Sequence, residues 1–349
     1  MAHFWLRHET RPDEARAALT PEGAAALIAA GHRITVEDSP TRVFPTADYR
    51  EAGAAVADMQ GWRRAPEDAV ILGLKELPED TGPLTHRHLM FGHAYKGQFA
   101  GRDLMRRFGE GGGTLLDMEY LVGEDGRRVA AFGYWAGYAG AAVTLIGLAA
   151  QRAGSICPAV STFASAAAMR EEVATALAGH RPRVLIVGCK GRVGNGVQAL
   201  CEALDLAPEC WDTRETDHGG PFPQIAATEV FFNCILAVPG TPVFFDGAAA
   251  DGERALRIIG DIACDPDSDY NPVPLYEAAT TWAEPVVRVR ETPPLDIMAI
   301  DNLPSLLPRE SAEDFAGQLL PHLHAFDSDE NGVWARAEAT YRDNQSSSS

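Results

Sequence analysis

The chain has 349 residues, with 49 acidic against 30 basic side chains and a formal charge of −19 at pH 7. Such a length is more than one compact core accommodates and predicts two domains. So acidic a surface repels phosphate backbones and anionic lipid, which argues against nucleic acid or membrane partners. The six cysteines, Cys157, Cys189, Cys201, Cys210, Cys234 and Cys264, contain no CxxC pair. They read as reduced, buried thiols rather than a disulfide framework or a zinc site. The opening "MAHFWLRHETRP" has no basic-then-apolar leader, so the expected compartment is the cytoplasm.

In chain order, "HFWLR" reads as a strand. The stretch "LTPEGAAALIAAGH" follows as a helix, with Thr20 as N-cap, Pro21 at its first position and Gly31 as its stop. "RITVED" is the next strand. After a loop come "AVILGL" (69–74), "HLMFGH" (88–93) and "GTLLDMEYL" (113–121), β-branched or aromatic runs bounded by Gly or Pro. Residues 131–150, "AFGYWAGYAGAAVTLIGLAA", are uncharged and carry Gly133 and Gly137 at GxxxG spacing, a pattern shared with membrane helices. The stretch is single and rich in Gly and Ala rather than Leu and Ile, and reads as a buried interdomain helix.

The second half repeats the alternation, with "RVLIVG" (183–188), "ECWD" (209–212), "VFFNCIL" (230–236), "LRIIGDIAC" (256–264) and "PVVRV" (285–289) separated by helix-length spacers. Strands alternating with helices imply mostly parallel sheets. The predicted fold class is α/β: two Rossmann-like doubly wound parallel-sheet domains separated by an interdomain cleft. The closing "DNQSSSS" reads as a frayed polar tail.

In "RVLIVGCKGRVGNGVQAL" an apolar strand runs into Gly188, Gly191 and Gly194 at GxxGxxG spacing, then into a helix. A glycine triplet alone is weak in a chain with 33 glycines. A βα turn of this kind, however, presents backbone N–H groups and a helix N-terminus to a pyrophosphate. Asp212, ending the next strand, is placed to accept hydrogen bonds from adenosine ribose hydroxyls and to disfavour a 2′-phosphate, with Arg214 as a partial counterweight. The expected cofactor is NAD.

Lys75 closes "VILGL", His93 closes "LMFG", Glu119 follows "TLLDM" and Arg16 comes after the first strand. The carboxyl ends of strands border the ligand crevice of an open parallel sheet, so these side chains are expected to converge. A lysine becomes a base once desolvation and a neighbouring cation such as Lys96 lower its pKa, while Glu76 and Glu119 act in the opposite sense. His93 titrates near neutrality and can exchange a proton with water. Arg16 and Arg128 suit a bidentate grip on carboxylates. His86, His88 and His93 lack the cysteine pair or HExxH helix of a metal site, and no metal is expected.

Together "EARAALTP", "VEDSP", "GLKELPED", "GHAYKGQ", "GRRVAAFGYWAGYAGAA", "RETDHGGPF", "NPVPLYEAAT" and "DNLPSLLPRE" resemble the NAD-dependent, lysine-forming saccharopine dehydrogenases nearly from end to end. Alanine dehydrogenase and the nicotinamide nucleotide transhydrogenase domain are more distant relatives. The resemblance implies an enzyme that reversibly oxidises saccharopine to L-lysine and 2-oxoglutarate with NAD. It implies Lys75 as the base taking the proton of the secondary amine, and His93 as the group managing imine hydration and carbinolamine collapse. Substrate contacts fall, on the same basis, on Arg16, Lys75, Gln98, Arg128, Phe132 and the stretch Ala263, Cys264, Asp265. Cofactor contacts fall on Arg127, Gly188, Gly191, Arg192, Gly194, Asp212, Thr216, Leu236, Ile262 and the segment Ile300, Asp301, Asn302, Leu303. Glu76, Lys96, Glu119 and Asp301 are implied to tune local charge. The fungal enzymes carry cysteine, tyrosine and serine where this chain has Val193, Leu236 and Ala263.

The family pattern also implies a substrate domain made of residues 1–131 and 306–349 and an NAD-binding domain of residues 132–305. Two crossings between them form a natural hinge, and a monomer is implied. Two other readings compete: another amino-acid or opine dehydrogenase such as alanine dehydrogenase, and a non-catalytic NAD-binding module. The residue types fit either direction of reaction, since a catalyst lowers the barrier both ways.

Overall fold

The computed structural model describes residues 1–78, 82–95, 99–328 and 332–347. The chain divides into two compact units, Met1–Ala131 with Pro308–Ser349, and Phe132–Leu307.

The first unit is built on strands β1 (His3–Leu6), β2 (Arg33–Glu37), β3 (Ala55–Ala57), β4 (Ala69–Leu72), β5 (Arg87–Met90) and β6 (Thr114–Asp117). Across the described residues they form one sheet in the order β3-β2-β1-β4-β5-β6, every neighbouring pair parallel. β1 and β4 are buried at every position, as strands covered on both faces must be. Helix α1 (Pro21–Ala29) begins at Thr20, whose hydroxyl accepts the Gly23 N–H at 3.0 Å, and ends before Gly31 at φ +93°. That is the N-cap and glycine stop read from the sequence.

The stretch taken there as plain loop also holds α2 (Thr46–Glu51) and the short β3. The buried carboxylate of Glu37 ties this region to β1. One of its oxygens accepts from Trp5 Nε1 at 3.0 Å and Trp62 N at 2.7 Å, the other from His8 N and Gln60 N, each at 2.9 Å. Helix α3 (Phe99–Gly111) and two C-terminal helices, Pro308–His324 and Val333–Ser347, complete the unit; the last packs on β6.

The second unit holds β7 (Val184–Val187), β8 (Glu209–Trp211), β9 (Val230–Asn233), β10 (Ile258–Asp261), β11 (Val286–Glu291) and β12 (Pro294–Met298), in the order β11-β12-β10-β9-β7-β8. The pairs are parallel except β11 with β12, which form an antiparallel hairpin. Two expectations need correction here. "PVVRV" is the edge strand of a hairpin rather than the next parallel strand, and β12, hidden in the sequence by its opening proline, takes that parallel place. Residues 262–285 between β10 and β11 carry no helix.

Three helices matter to the site: α4 (Gly133–Arg152), α5 (Ala166–Leu177) and α6 (Arg192–Ala203). α4 is the uncharged stretch expected between domains. It lies inside the second unit, against α5, α6, β10 and β12. Its glycines explain its composition. A Cβ on Gly137 would sit 1.9 Å from the Val193 carbonyl oxygen, and one on Gly196 of α6 would sit 1.9 Å from that of Tyr134, so the two backbones touch. Among the described residues, no helix is long and apolar enough to cross a membrane.

Gly137→Ala is therefore expected to push α4 off α6. The loss should be about 1–3 kcal/mol, as for overpacked core sites, read as a lower urea midpoint with an unchanged slope.

Candidate active site

In the first unit, the loops leaving β1, β4, β5 and β6 start from adjacent strands in level register, with Leu6, Leu72 and Leu89 side by side and Met90 opposite Asp117. Lys75, His93 and Glu119 stand two or three residues beyond their strands. The structure brings them together. His93 Nδ1 lies 3.3 Å from Glu119 Oε2, and the charge of Lys75 acts on His93, Glu14 and Glu76. The hydrogen bond to Glu119 raises the His93 pKa above its ordinary value, against the effect of burial. His93 has φ +46°, and its ring stacks at 20° on that of Phe91. Beneath it, the buried Asp117 accepts the Glu119 N–H at 2.9 Å, and burial raises its own pKa.

Arg16 is buried and its guanidinium is held by Glu14, Nε to Oε1 at 2.8 Å and Nη2 to Oε2 at 2.6 Å. Glu14 thus fixes the plane of the arginine. Burial would raise the Glu14 pKa, but the charge and hydrogen bonds of Arg16, together with Lys75, hold it low. Glu76 is paired with Arg11, whose Nε donates to Oε2 at 2.8 Å; no local sequence signal marks Arg11 or Glu14 for these roles. Arg127 and Arg128 stand exposed on a strap closed by the Val122–Arg128 bridge, with Arg127 Nε 3.9 Å from Asp125. Lys96 and Gln98 lie outside the described residues. His86 and His88 belong to the core, His88 between the rings of Trp62 and Phe108 with its pKa driven well down by burial. Among the described residues, no cluster of His, Cys, Asp and Glu could hold a metal ion.

In the second unit, β7 runs into Gly188 at φ +88° and Gly191 caps α6 without a side-chain bond. The first-turn N–H groups behind Arg192 therefore face outward for an anion. A Cβ on Gly194 would meet the Gly188 oxygen at 2.3 Å, while over Gly191 the nearest atom to such a Cβ is that oxygen at 3.4 Å. The turn is closed underneath by Gly194 and open above Gly191, a cradle that fits a dinucleotide pyrophosphate.

Asp212 follows β8 and caps helix α7 (Thr213–Thr216); its Oδ1 accepts the Thr213 N–H at 2.8 Å. Asp212, Thr216 and Leu236, with Val187, Ile235 and Pro239, line a cleft of ≈ 420 Å³, room for an adenosine. A cation beside Asp212 is Lys190, with Nζ at 3.8 Å from Oδ2.

Cys264 follows β10 at φ +47° and its N–H donates to the buried Asp261 at 3.3 Å. Asp261 in turn accepts from Tyr276 Oη at 2.8 Å and Asn233 Nδ2 at 2.9 Å; none of these three was expected. Burial and the charges of Asp261, Asp301 and Asp265 push the Cys264 thiol up to about 12. Ala263 is half-buried and Asp265 and Asp301 exposed on these loops. Among the expected cofactor contacts, Ile262, Ile300 and Leu303 have side chains buried in the apolar cluster around α4, which leaves their backbone atoms to face a ligand. Asn302 opens the short helix Leu303–Leu306, and Phe132 opens α4. All six cysteines are free, and burial pushes the pKa of Cys234, just after β9, well up.

Two sheets of this topology, one ending in a glycine turn, define a doubly wound nucleotide-binding class. Residues 5–139 match the family model "Alanine dehydrogenase/PNT, N-terminal domain". The fold is shared with a solved L-alanine dehydrogenase: TM-score 0.71 and 15% identity, covering 99% of this chain and 100% of that one. The saccharopine dehydrogenase (NAD+, L-lysine-forming) of Candida glabrata is 42% identical over 96% of this chain and 95% of its own length. That of Schizosaccharomyces pombe is 40% identical over 97% of each. The chain belongs to the family of NAD+-dependent, L-lysine-forming saccharopine dehydrogenases.

The raised His93 pKa has a definite sign. The Glu119 pair favours the imidazolium, so its stabilisation is fully present below the ordinary value of 6.5 and is lost as pH rises through the elevated one. In Glu119→Gln the His93 titration midpoint, followed by NMR, is expected to move to lower pH; an unmoved midpoint would show that the pair does not set it.

Proposed function

We propose that this chain catalyses the reversible NAD-dependent oxidation of saccharopine to L-lysine and 2-oxoglutarate. The observation that carries the reading is the grouping of Lys75, His93, Glu119 and the Arg16–Glu14 pair at one sheet edge, in a chain of this family. In this reading Lys75 takes the proton of the secondary amine, and NAD, when bound on the glycine turn, supplies the hydride acceptor for the adjacent carbon. His93, whose pKa the hydrogen bond to Glu119 raises, passes protons to and from water as the imine is hydrated and the carbinolamine collapses. In the same reading Arg16 and Arg128 hold substrate carboxylates, and Gln98, Phe132 and residues 263–265 serve the substrate as well. Arg127, Arg192, Asp212, Thr216, Leu236 and residues 300–303 serve the cofactor, and Glu76, Lys96, Glu119 and Asp301 set the charge around the reacting atoms. We assign the enzyme to the cytoplasm, a reading supported by its free thiols, and, on the family pattern, to a monomer.

The test is NADH consumption with L-lysine plus 2-oxoglutarate, compared with pyruvate plus ammonia. Turnover is expected with the first pair, and turnover confined to the second overturns the proposal. Lys75→Met with His93→Gln should lower the rate by about 10²–10⁴; undiminished turnover would mean that other residues move the protons.

A further inference from the structure

Lys75 lies three residues past the end of β4, where the strand ladder is giving out. A base there needs a fixed main chain, because a long, flexible lysine stem on a loose loop loses the alignment that proton transfer requires. The sheet supplies part of the anchorage: Gly73 N donates to Leu89 O at 3.0 Å and Phe91 N to Leu74 O at 3.1 Å. On the β1 side no strand residue faces Leu74 and Lys75 in the register. A side chain takes that place. The Glu9 carboxylate accepts Leu74 N at 2.7 Å on Oε1 and Lys75 N at 2.9 Å on Oε2.

Arg7 closes the arrangement. It donates through Nη2 to the Lys75 carbonyl, and Nη1 stands 3.3 Å from Glu9 Oε2. Both side chains are buried, Arg7 1% and Glu9 7% exposed. The guanidinium lies across Gly73, where any Cβ would come within 2.2 Å of Nε. One ion pair therefore holds the N–H and the C=O of Lys75 and the N–H before it. A buried ion pair is a poor source of net stability but an effective means of selecting one conformation.

We infer that Arg7 and Glu9 are positioning residues that act through Lys75, extending the sheet by one turn of side-chain hydrogen bonds so that the amine is held where it accepts the substrate proton. This rests on Lys75 being the base. Glu9→Gln puts an amide NH₂ where one of the two N–H groups needs an acceptor, and it removes the charge facing Arg7.

The experiment is a double-mutant cycle in the full chain: Glu9→Gln and Lys75→Met, singly and together, with kcat, the KM for NAD and the urea midpoint measured for each. Glu9→Gln alone should lower kcat on the order of ten- to a hundredfold and leave the KM for NAD unchanged. In the Lys75→Met background it should lower kcat no further. An equal loss in both backgrounds, or no loss in the wild-type background, overturns the inference. Full activity in Lys75→Met alone instead overturns the assignment of the base, a separate and recognisable outcome. Should Glu9→Gln fail to fold, Gly73→Ala, which displaces Arg7 without removing a charge, goes through the same cycle with the same expectations.

Discussion

The site depends on the parallel register of β1, β4, β5 and β6. Because these strands are neighbours and end level, four separate loops leave one sheet edge and deliver Arg16, Lys75, His93 and Glu119 to the same place. A one-residue slip on any strand would turn its side chains to the opposite face and bury in the core what now faces the edge. The strand order reverses between β1 and β4, the switch point at which open α/β sheets leave room for a ligand. Arg7 and Glu9 leave β1, and Lys75 leaves β4, on the two sides of that point.

Both units place a buried carboxylate under a strained residue. Asp117 ends β6 beneath His93, and Asp261 ends β10 beneath Cys264. The two supported residues have φ +46° and +47°, a region that non-glycine residues enter at about 1–3 kcal/mol. In each case the aspartate accepts a backbone N–H from the following loop, Glu119 in one and Cys264 in the other. Burial raises the pKa of both aspartates, so their loop contacts have been formed against a desolvation penalty. The same device, a strand-end acid holding a bent loop, recurs in both units.

The glycines of the second unit work as a set. Gly188 and Gly194 shape the turn, while Gly137 and Gly196 let α4 and α6 meet backbone to backbone directly behind it. Helix α6, which the glycine turn opens, is thereby seated on α4. Rigid support of that kind keeps the first-turn N–H groups aimed without a side-chain cap.

What the sequence by itself determined was everything set by neighbours a few residues apart. The Thr20 cap and Gly31 stop, the short apolar strands, the glycine turn after β7 and the strand-end positions of Lys75 and His93 all follow from local periodicity and turn chemistry. The tertiary structure alone decided which distant groups meet. Glu9 reaches Lys75 across 66 positions and Arg11 reaches Glu76 across 65, and the Asp261 hub gathers Asn233 and Tyr276 from three parts of the chain. Composition could not say whether the Gly- and Ala-rich helix meets lipid or protein, since small residues suit close packing in either; the Val193 backbone against Gly137 answers it. Nor could it reveal that Ile262, Ile300 and Leu303 turn inward, because burial is a property of the packed layers. Hydrogen bonds within a turn are written in adjacent residues, whereas those between loops exist only once strand order and register have brought the loops to one edge.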